Sequence, residues 1–171
     1  MRLRPSRDEM FMNIAKQVSE RSTCYRIQVG CVLVRDDRII SIGYNGASPG
    51  SEHCDKWWDD FYAKLVEDLE FKNKFPTLED FITSKEFFEE HHIWGETHEI
   101  HAEQNVIAYA AKNGISTKDS TLYVTYSPCI HCSKLISQAG IKEVKYLLEY
   151  NRDLEGIKFL ENCGISCIKI K

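Results

Sequence analysis

From residue 100 onward the sequence alternates helix-like and strand-like segments separated by short breaks, and this alternation narrows the fold more than any other feature. A helical pattern over Ile100 to Lys112 stops at Asn113-Gly114, and Thr121 to Thr125 is a β-type run. Tyr126-Ser127-Pro128 turns into a helix from Cys129 to Gln138, closed by Gly140. Val144 to Leu148 reads as a strand, Leu154 to Asn162 as a helix ending near Gly164, and Ser166 to Ile170 as a last strand. Such an order predicts parallel strands joined by helical crossovers. The N-terminal part adds a helix over residues 6–21, with Ser6 and Glu9 as a capping box, and a hairpin in which Asp36-Asp37 turns Val29–Val34 back into Ile39–Tyr44. The expected fold is α/β: a three-layer α-β-α sandwich on a mixed five-stranded sheet, with an antiparallel start and parallel crossovers.

Residues 56–93 break this rhythm. They are acidic and aromatic, with Trp57, Trp58, Phe61, Tyr62, Phe71, Phe75, Phe81, Phe87 and Phe88, and read as an insertion of one or two helices, Thr77 and Asp80 marking a second start. These aromatics are expected to pack rather than to form a stacking platform. At 171 residues the chain is expected to form one domain, 1–171, carrying a helical insertion at about 56–93.

The 22 basic and 26 acidic side chains leave a formal net charge of −4. That balance lacks the basic footprint of a nucleic-acid binder and favours a small substrate over a polymer. No apolar run approaches the ~18 residues of a membrane span. Arg2, Arg4 and Arg7 resemble the start of a signal peptide, but Asp8, Glu9 and an amphipathic stretch follow where a continuous apolar segment would be needed. The expectation is a cytoplasmic protein without a membrane or nucleic-acid partner.

Seven cysteines, an odd number in such a chain, point to metal binding or catalysis rather than a disulfide framework. Two motifs concentrate the chemistry: His101-Ala102-Glu103 and Pro128-Cys129-Ile130-His131-Cys132. Cysteines three apart share one helix face, and the first turn of a helix favours the thiolates that bind zinc. One imidazole from elsewhere completes a three-ligand site with an open position, the pattern of catalytic zinc. At a helix start His101 and Glu103 address one cavity, so that His101 ligates and Glu103 carries a proton. H-x-E followed by P-C-x-x-C is the arrangement of zinc deaminases. His131 is expected to point away from the face the two thiols share. Cys31, Cys163 and Cys167 are assigned to packing.

The resemblance then becomes specific. Gly43-Tyr44-Asn45-Gly46 with Pro49-Gly50, His101-Ala102-Glu103 with Asn105 and Ile107, and Tyr123-Val124-Thr125 leading to Ser127-Pro128-Cys129 and Cys132 resemble the deoxycytidylate (dCMP) deaminase family, whose fold is cytidine-deaminase-like. Ser22-Thr23-Cys24-x-Arg26 and Gln138-Ala139-Gly140-Ile141-Lys142 extend it, so that it covers nearly all the chain outside residues 57–90. The resemblance implies zinc-dependent hydrolysis of dCMP to dUMP and ammonia, with Glu103 protonating N3 and assisting ammonia to leave. It implies His101, Cys129 and Cys132 as zinc ligands and Asn45, Arg26, Ser127 and Tyr150 as substrate-binding residues. Asn45 would meet the sugar 3′-hydroxyl, Tyr150 would cover the base and Arg26 would meet the 5′-phosphate. An αL turn residue, a packed aromatic and a solvated arginine are their respective alternatives.

A second, structural zinc on Cys24, Cys54, His91 and Glu99 is also implied by family members that carry one. His53, His92 and His98 compete as ligands, and buried apolar cysteines are the alternative for Cys24 and Cys54. The family further implies a homo-oligomer, with a hexamer favoured, and control by dCTP as activator and dTTP as inhibitor, with magnesium accompanying the triphosphate. Tyr44 and Gly46 would then lie in the nucleotide-sensing loop. The inherited role is supply of dUMP for thymidylate synthesis. Rival readings are a zinc deaminase for a free nucleoside, a tRNA adenosine or single-stranded DNA, a non-catalytic nucleotide-sensing zinc module, and a thiol–disulfide oxidoreductase using Cys129 and Cys132.

Overall fold

The computed structural model describes residues 4–150 and 153–170; Arg2 of the basic N-terminus lies outside them. In chain order the elements are α1 (Arg7–Ser19), β1 (Gly30–Arg35), β2 (Arg38–Tyr44), β3 (Gly46–Ala47), α2 (Cys54–Leu65), α3 (Leu69–Lys74), α4 (Leu78–Ile82), α5 (Lys85–His98), β4 (Glu99–Ile100), α6 (Ala102–Lys112), β5 (Thr121–Tyr126), α7 (Ile130–Gln138), β6 (Glu143–Leu148), α8 (Glu155–Asn162) and β7 (Ser166–Lys169). They divide into two compact units. Among the described residues, one takes those up to Ser22, Val29–Asn45 and those from His101 onward; the other takes Thr23–Gln28 and Gly46–Ile100.

The first unit contains the expected mixed sheet, with strand order β2-β1-β5-β6-β7. β1 pairs antiparallel with β2 and with β5, and β5, β6 and β7 run parallel. Asp36 and Asp37 both take positive φ (50° and 59°), which matches the hairpin's tight turn to the twist of its strands. Side chains alternate across the strands. Val32, Val34 and Tyr123 meet Phe11, Met12 and Ala15 of α1 on one face. Cys31, Leu33, Leu122 and Val124 join Ala102 and Val106 of α6, Ile136 of α7 and Leu160 of α8 on the other. One helix above the sheet and three below make the three layers. The capping box of α1 forms as read: Glu9 N–H donates to Ser6 Oγ (3.1 Å) and Ser6 N–H to Glu9 Oε2 (2.6 Å). Cys31 is fully buried, but Cys163, expected in the core, is exposed at the end of α8.

The second unit holds four helices where the sequence suggested one or two. Asp68, Thr77 and Ser84 each accept a hydrogen bond from a first-turn amide, so the aromatic stretch is cut into short capped pieces. Rings fill the interior: Trp58, Phe81, Phe87 and Trp94 are all buried. Trp58 lies edge-on to Phe87, centroids 5.0 Å apart, and parallel to the ring of His91 at 5.9 Å. A two-residue ribbon pairs Gly46 with Ile100 and Ala47 with Glu99, which is why α6 begins at Ala102 rather than Ile100. Two residues are too few to show a period. Among the described residues no helix is long and apolar enough to cross a membrane.

Candidate active site

The site is built where two helices of the sheet-bearing unit begin. His101 is the N-cap of α6 and Cys129 the N-cap of α7, both in extended backbone geometry, while Cys132 lies one turn further along α7. Both N-caps therefore carry donor side chains instead of the usual Ser, Thr, Asp or Asn. His101 Nδ1 is 3.5 Å from Cys129 Sγ and 3.3 Å from Cys132 Sγ. The three donor atoms all lie within 4.8 Å of one another. A tetrahedral zinc with ordinary bond lengths separates sulfur and nitrogen ligands by about 3.6 Å, so the donors fit such an ion in type and spacing. His131 is exposed, turned away from the pair as expected.

Close approach of β2 to α6 sets His101 and Glu103 in place. A Cβ on Gly43 would come within 3.0 Å of the Ala102 carbonyl and 3.1 Å of Asn105 Cβ. Ser41 Oγ donates to the Val106 carbonyl (3.0 Å) and Asn105 Nδ2 to the Tyr44 carbonyl (3.0 Å), fastening the helix along the strand. The Gln104 side chain accepts from His101 N–H at 2.8 Å.

Electrostatics separate the groups. Glu103 is 4% exposed, and burial pushes its carboxyl above the usual range. Cys129 is drawn down to about 4, first by its hydrogen bond with Cys132 and then, against burial, by His101. Cys132 is pushed up by that same bond, by burial and by the charge of Glu103. The bond between the sulfurs moves the two thiols in opposite directions, and a bound cation would favour the thiolate form of both.

A second cluster occupies the other unit. Cys24 Sγ and Cys54 Sγ lie 3.4 Å and 3.3 Å from His91 Nε2, and with Glu99 they place four donor atoms within 4.8 Å of one another. Cys24, Cys54 and His91 are buried, whereas His53, His92 and His98 are exposed and outside the group. Cys24 is drawn down to about 3, chiefly by its bond with Cys54, and Cys54 is pushed up by the same bond.

The remaining sequence-selected residues fall as follows. Asn45 is buried; its Oδ1 accepts from Val29 N–H (2.8 Å) and its own N–H donates to the Val29 carbonyl (3.1 Å), so it is not an αL turn residue. Ser127 is buried beside Cys129, and its Oγ accepts the Tyr150 N–H at 2.8 Å, which joins those two positions. Tyr150 is half-buried against the core. Tyr44 is half-buried at the end of β2, and Arg26 and Gly46 are half-buried in the other unit. One contact lay outside the sequence reading: Asp153 Oδ2 accepts the Ile130 N–H of α7 at 2.6 Å. Its signal was a cysteine at an N-cap, which leaves a first-turn amide in want of another acceptor.

A His–Cys–Cys donor set at two helix starts, with a buried carboxyl alongside on a three-layer sandwich, defines a hydrolytic deaminase of the zinc-binding class. The profile of the cytidine and deoxycytidylate deaminase zinc-binding region matches residues 5–148, and the chain belongs to that family. It is 38% identical to the deoxycytidylate deaminase of Enterobacteria phage T2, over 93% of this chain and 89% of that protein. The phage T4 deoxycytidylate deaminase is 36% identical over 93% and 87% of the two chains. The cyanophage S-TIM5 dCMP deaminase, solved with dCMP and dUMP, superposes with a TM-score of 0.71 at 29% identity, over 99% of this chain and all of that one.

Proposed function

We propose that this protein hydrolyses dCMP to dUMP and ammonia, with Glu103 as the proton carrier and His101, Cys129 and Cys132 as zinc ligands. The observation that carries the reading is the buried Glu103 beside a three-donor cluster, in a chain similar over nearly its whole length to deoxycytidylate deaminases. When bound, zinc supplies the Lewis acidity that brings the pKa of a water towards ~7. Glu103 takes the proton that water gives up as its oxygen bonds to C4 of cytosine, and delivers it to N3. It then takes the second proton from the C4 hydroxyl and passes it to the departing amino nitrogen as the C4–N4 bond breaks, leaving the C4 carbonyl of dUMP and free ammonia. Burial raises the Glu103 carboxyl and its place beside the donor cluster puts it within reach of the reacting atoms, as suits a group that must both accept and release a proton.

Asn45, Ser127, Tyr150 and Arg26 are the proposed substrate contacts, carried over from the resemblance. Ser127 and Tyr150 are supported by their shared hydrogen bond next to Cys129. Cys24, Cys54, His91 and Glu99 are proposed to hold a structural zinc, supported by the burial and convergence of four donors. Both units are proposed to belong to a single deaminase domain, residues 1–171, whose helical insertion at about 56–93 lies within the second unit. Regulation rests on the resemblance alone: a hexamer activated by dCTP with magnesium and inhibited by dTTP, sensed through Tyr44 and Gly46, and feeding dUMP to thymidylate synthesis.

Turnover of dCMP followed by ultraviolet absorbance, with deoxycytidine alongside, tests the central claim. Turnover of dCMP alone is expected. No turnover of either, with dCTP and magnesium added, would overturn it. Light scattering with and without dCTP checks the hexamer in the same preparation.

A further inference from the structure

We propose that Asp153 is a positioning residue: its single carboxylate caps both α7 and α8 and so holds the Cys129–Cys132 turn in the geometry that binds metal. The inference rests on the reading of His101, Cys129 and Cys132 as zinc ligands.

The need for it arises at the start of α7. A helix leaves its first amides without intrahelical partners, and an N-cap side chain ordinarily answers one of them. Here the N-cap is Cys129, whose sulfur lies against His101 and Cys132 and leaves the Ile130 N–H of the first turn to another acceptor. The acceptor comes from a distant part of the chain. Asp153 Oδ2 takes the Ile130 N–H at 2.6 Å, while Oδ1 takes the Glu155 N–H (3.0 Å) and the Gly156 N–H (3.3 Å) of α8. The two helix starts, each with positive dipole ends, are joined through one negative group.

Further contacts lace the same stretch to the turn. Ser127 N–H donates to the Leu148 carbonyl (2.8 Å), Tyr150 N–H to Ser127 Oγ (2.8 Å), and Asp153 N–H to the Tyr150 carbonyl (3.1 Å). Gly156 lets α8 come close: a Cβ there would sit 2.1 Å from the Pro128 carbonyl oxygen and 2.9 Å from the Cys129 carbonyl carbon. The zinc-ligand turn is therefore held from outside by α8, and Asp153 carries the charged part of that hold. Groups that orient metal ligands typically shift metal affinity or activity by about 10–100-fold when removed.

The test compares zinc release to a chromogenic chelator, well below the melting temperature, in the parent, Asp153→Ala, Asp153→Asn and Ser6→Ala proteins. The phase that Cys132→Ser abolishes is the one read. Asp153→Ala should release zinc roughly 10–100-fold faster, lower kcat with little change in KM, and lose hydrogen-exchange protection at the Ile130 amide. Asp153→Asn keeps one acceptor oxygen and should fall between. Ser6→Ala removes the cap of α1 and should lower the melting temperature without altering release. Release at the parent rate from Asp153→Ala, or equal acceleration in Ser6→Ala, would overturn the proposal. If Asp153→Ala does not fold, parent-rate release from Asp153→Asn does so. A parent protein that holds no zinc in this phase overturns the metal reading and the positioning role with it, whereas a zinc-loaded parent with unaffected variants overturns only the latter.

Discussion

Two cysteine–histidine clusters sit in two differently built units, and they differ in ways that match different tasks. In the sheet-bearing unit three donors stand at helix starts beside a buried carboxyl that is not needed to complete them. In the aromatic unit four donors converge with Glu99 as one of their number, beside a cluster of packed rings. Three ligands leave room for chemistry; four close a tetrahedron. The hosts differ as well. The first cluster is backed by a five-stranded sheet, the second by short capped helices with a two-residue ribbon. A unit made this way has little backbone ladder to hold it, and its interior is packed ring against ring.

The largest expected effect comes from removing a ligand of the closed cluster. Cys54→Ser should drop zinc content from two per chain to one and loosen the aromatic unit, because a structural site's binding free energy is folding free energy, on the order of 10 kcal/mol in small zinc domains. Metal analysis with thermal denaturation reads both; two zincs retained would erase the distinction between the clusters. In the open cluster, Glu103→Gln should keep its zinc yet lose about 10²–10⁴-fold in kcat for dCMP. Full activity in that variant would remove Glu103 from the mechanism.

Packing gives the next tier. Phe87→Ala should cost about 3–5 kcal/mol. Trp57, Trp58 and Trp94, all the tryptophans of the chain, lie in the aromatic unit, so indole emission during urea unfolding reports that unit specifically. An unchanged emission midpoint would show that its rings are not what holds it. The smallest effect belongs to α1 and β6. Burial works to raise Asp8, but hydrogen bonds from Lys145 (2.9 Å to each oxygen) and Tyr123 outweigh it, so its carboxyl titrates below the usual 3.8. The stability this gives is present above pH 3.8 and is lost as pH falls through the depressed value. Lys145→Met should therefore destabilise by under about 1 kcal/mol near neutrality, the pair being partly solvated, with the gap closing on acidification below pH 3.8. A gap that is constant with pH would deny the pair any role.

Much of the sheet-bearing unit was legible because its signals are local. Ser6 and Glu9 announce a helix start, alternation marks β1 and β5, and Pro128-Cys129 ends a strand at a helix N-terminus. The donor set was readable for the same reason: three apart on a helix is fixed geometry. The aromatic unit was harder. Its apolar residues show no clean period, since they pack ring against ring in all directions, and the caps Asp68 and Ser84 look like ordinary surface residues. Spacing alone could not choose among four histidines, because Cys24, Cys54 and His91 meet only through the tertiary fold; burial selects His91. Asp153 escaped notice because its partner, Ile130, is 23 residues away.

The chain order of the two units has a consequence for biosynthesis. Cys24, Cys54, His91 and Glu99 all precede His101, and the aromatic unit ends at Ile100. The sheet, by contrast, has only its β1–β2 hairpin by that point and waits for β5, β6 and β7. As the nascent chain emerges from its N-terminus, every donor of the four-ligand cluster is therefore made before the first donor of the three-ligand one.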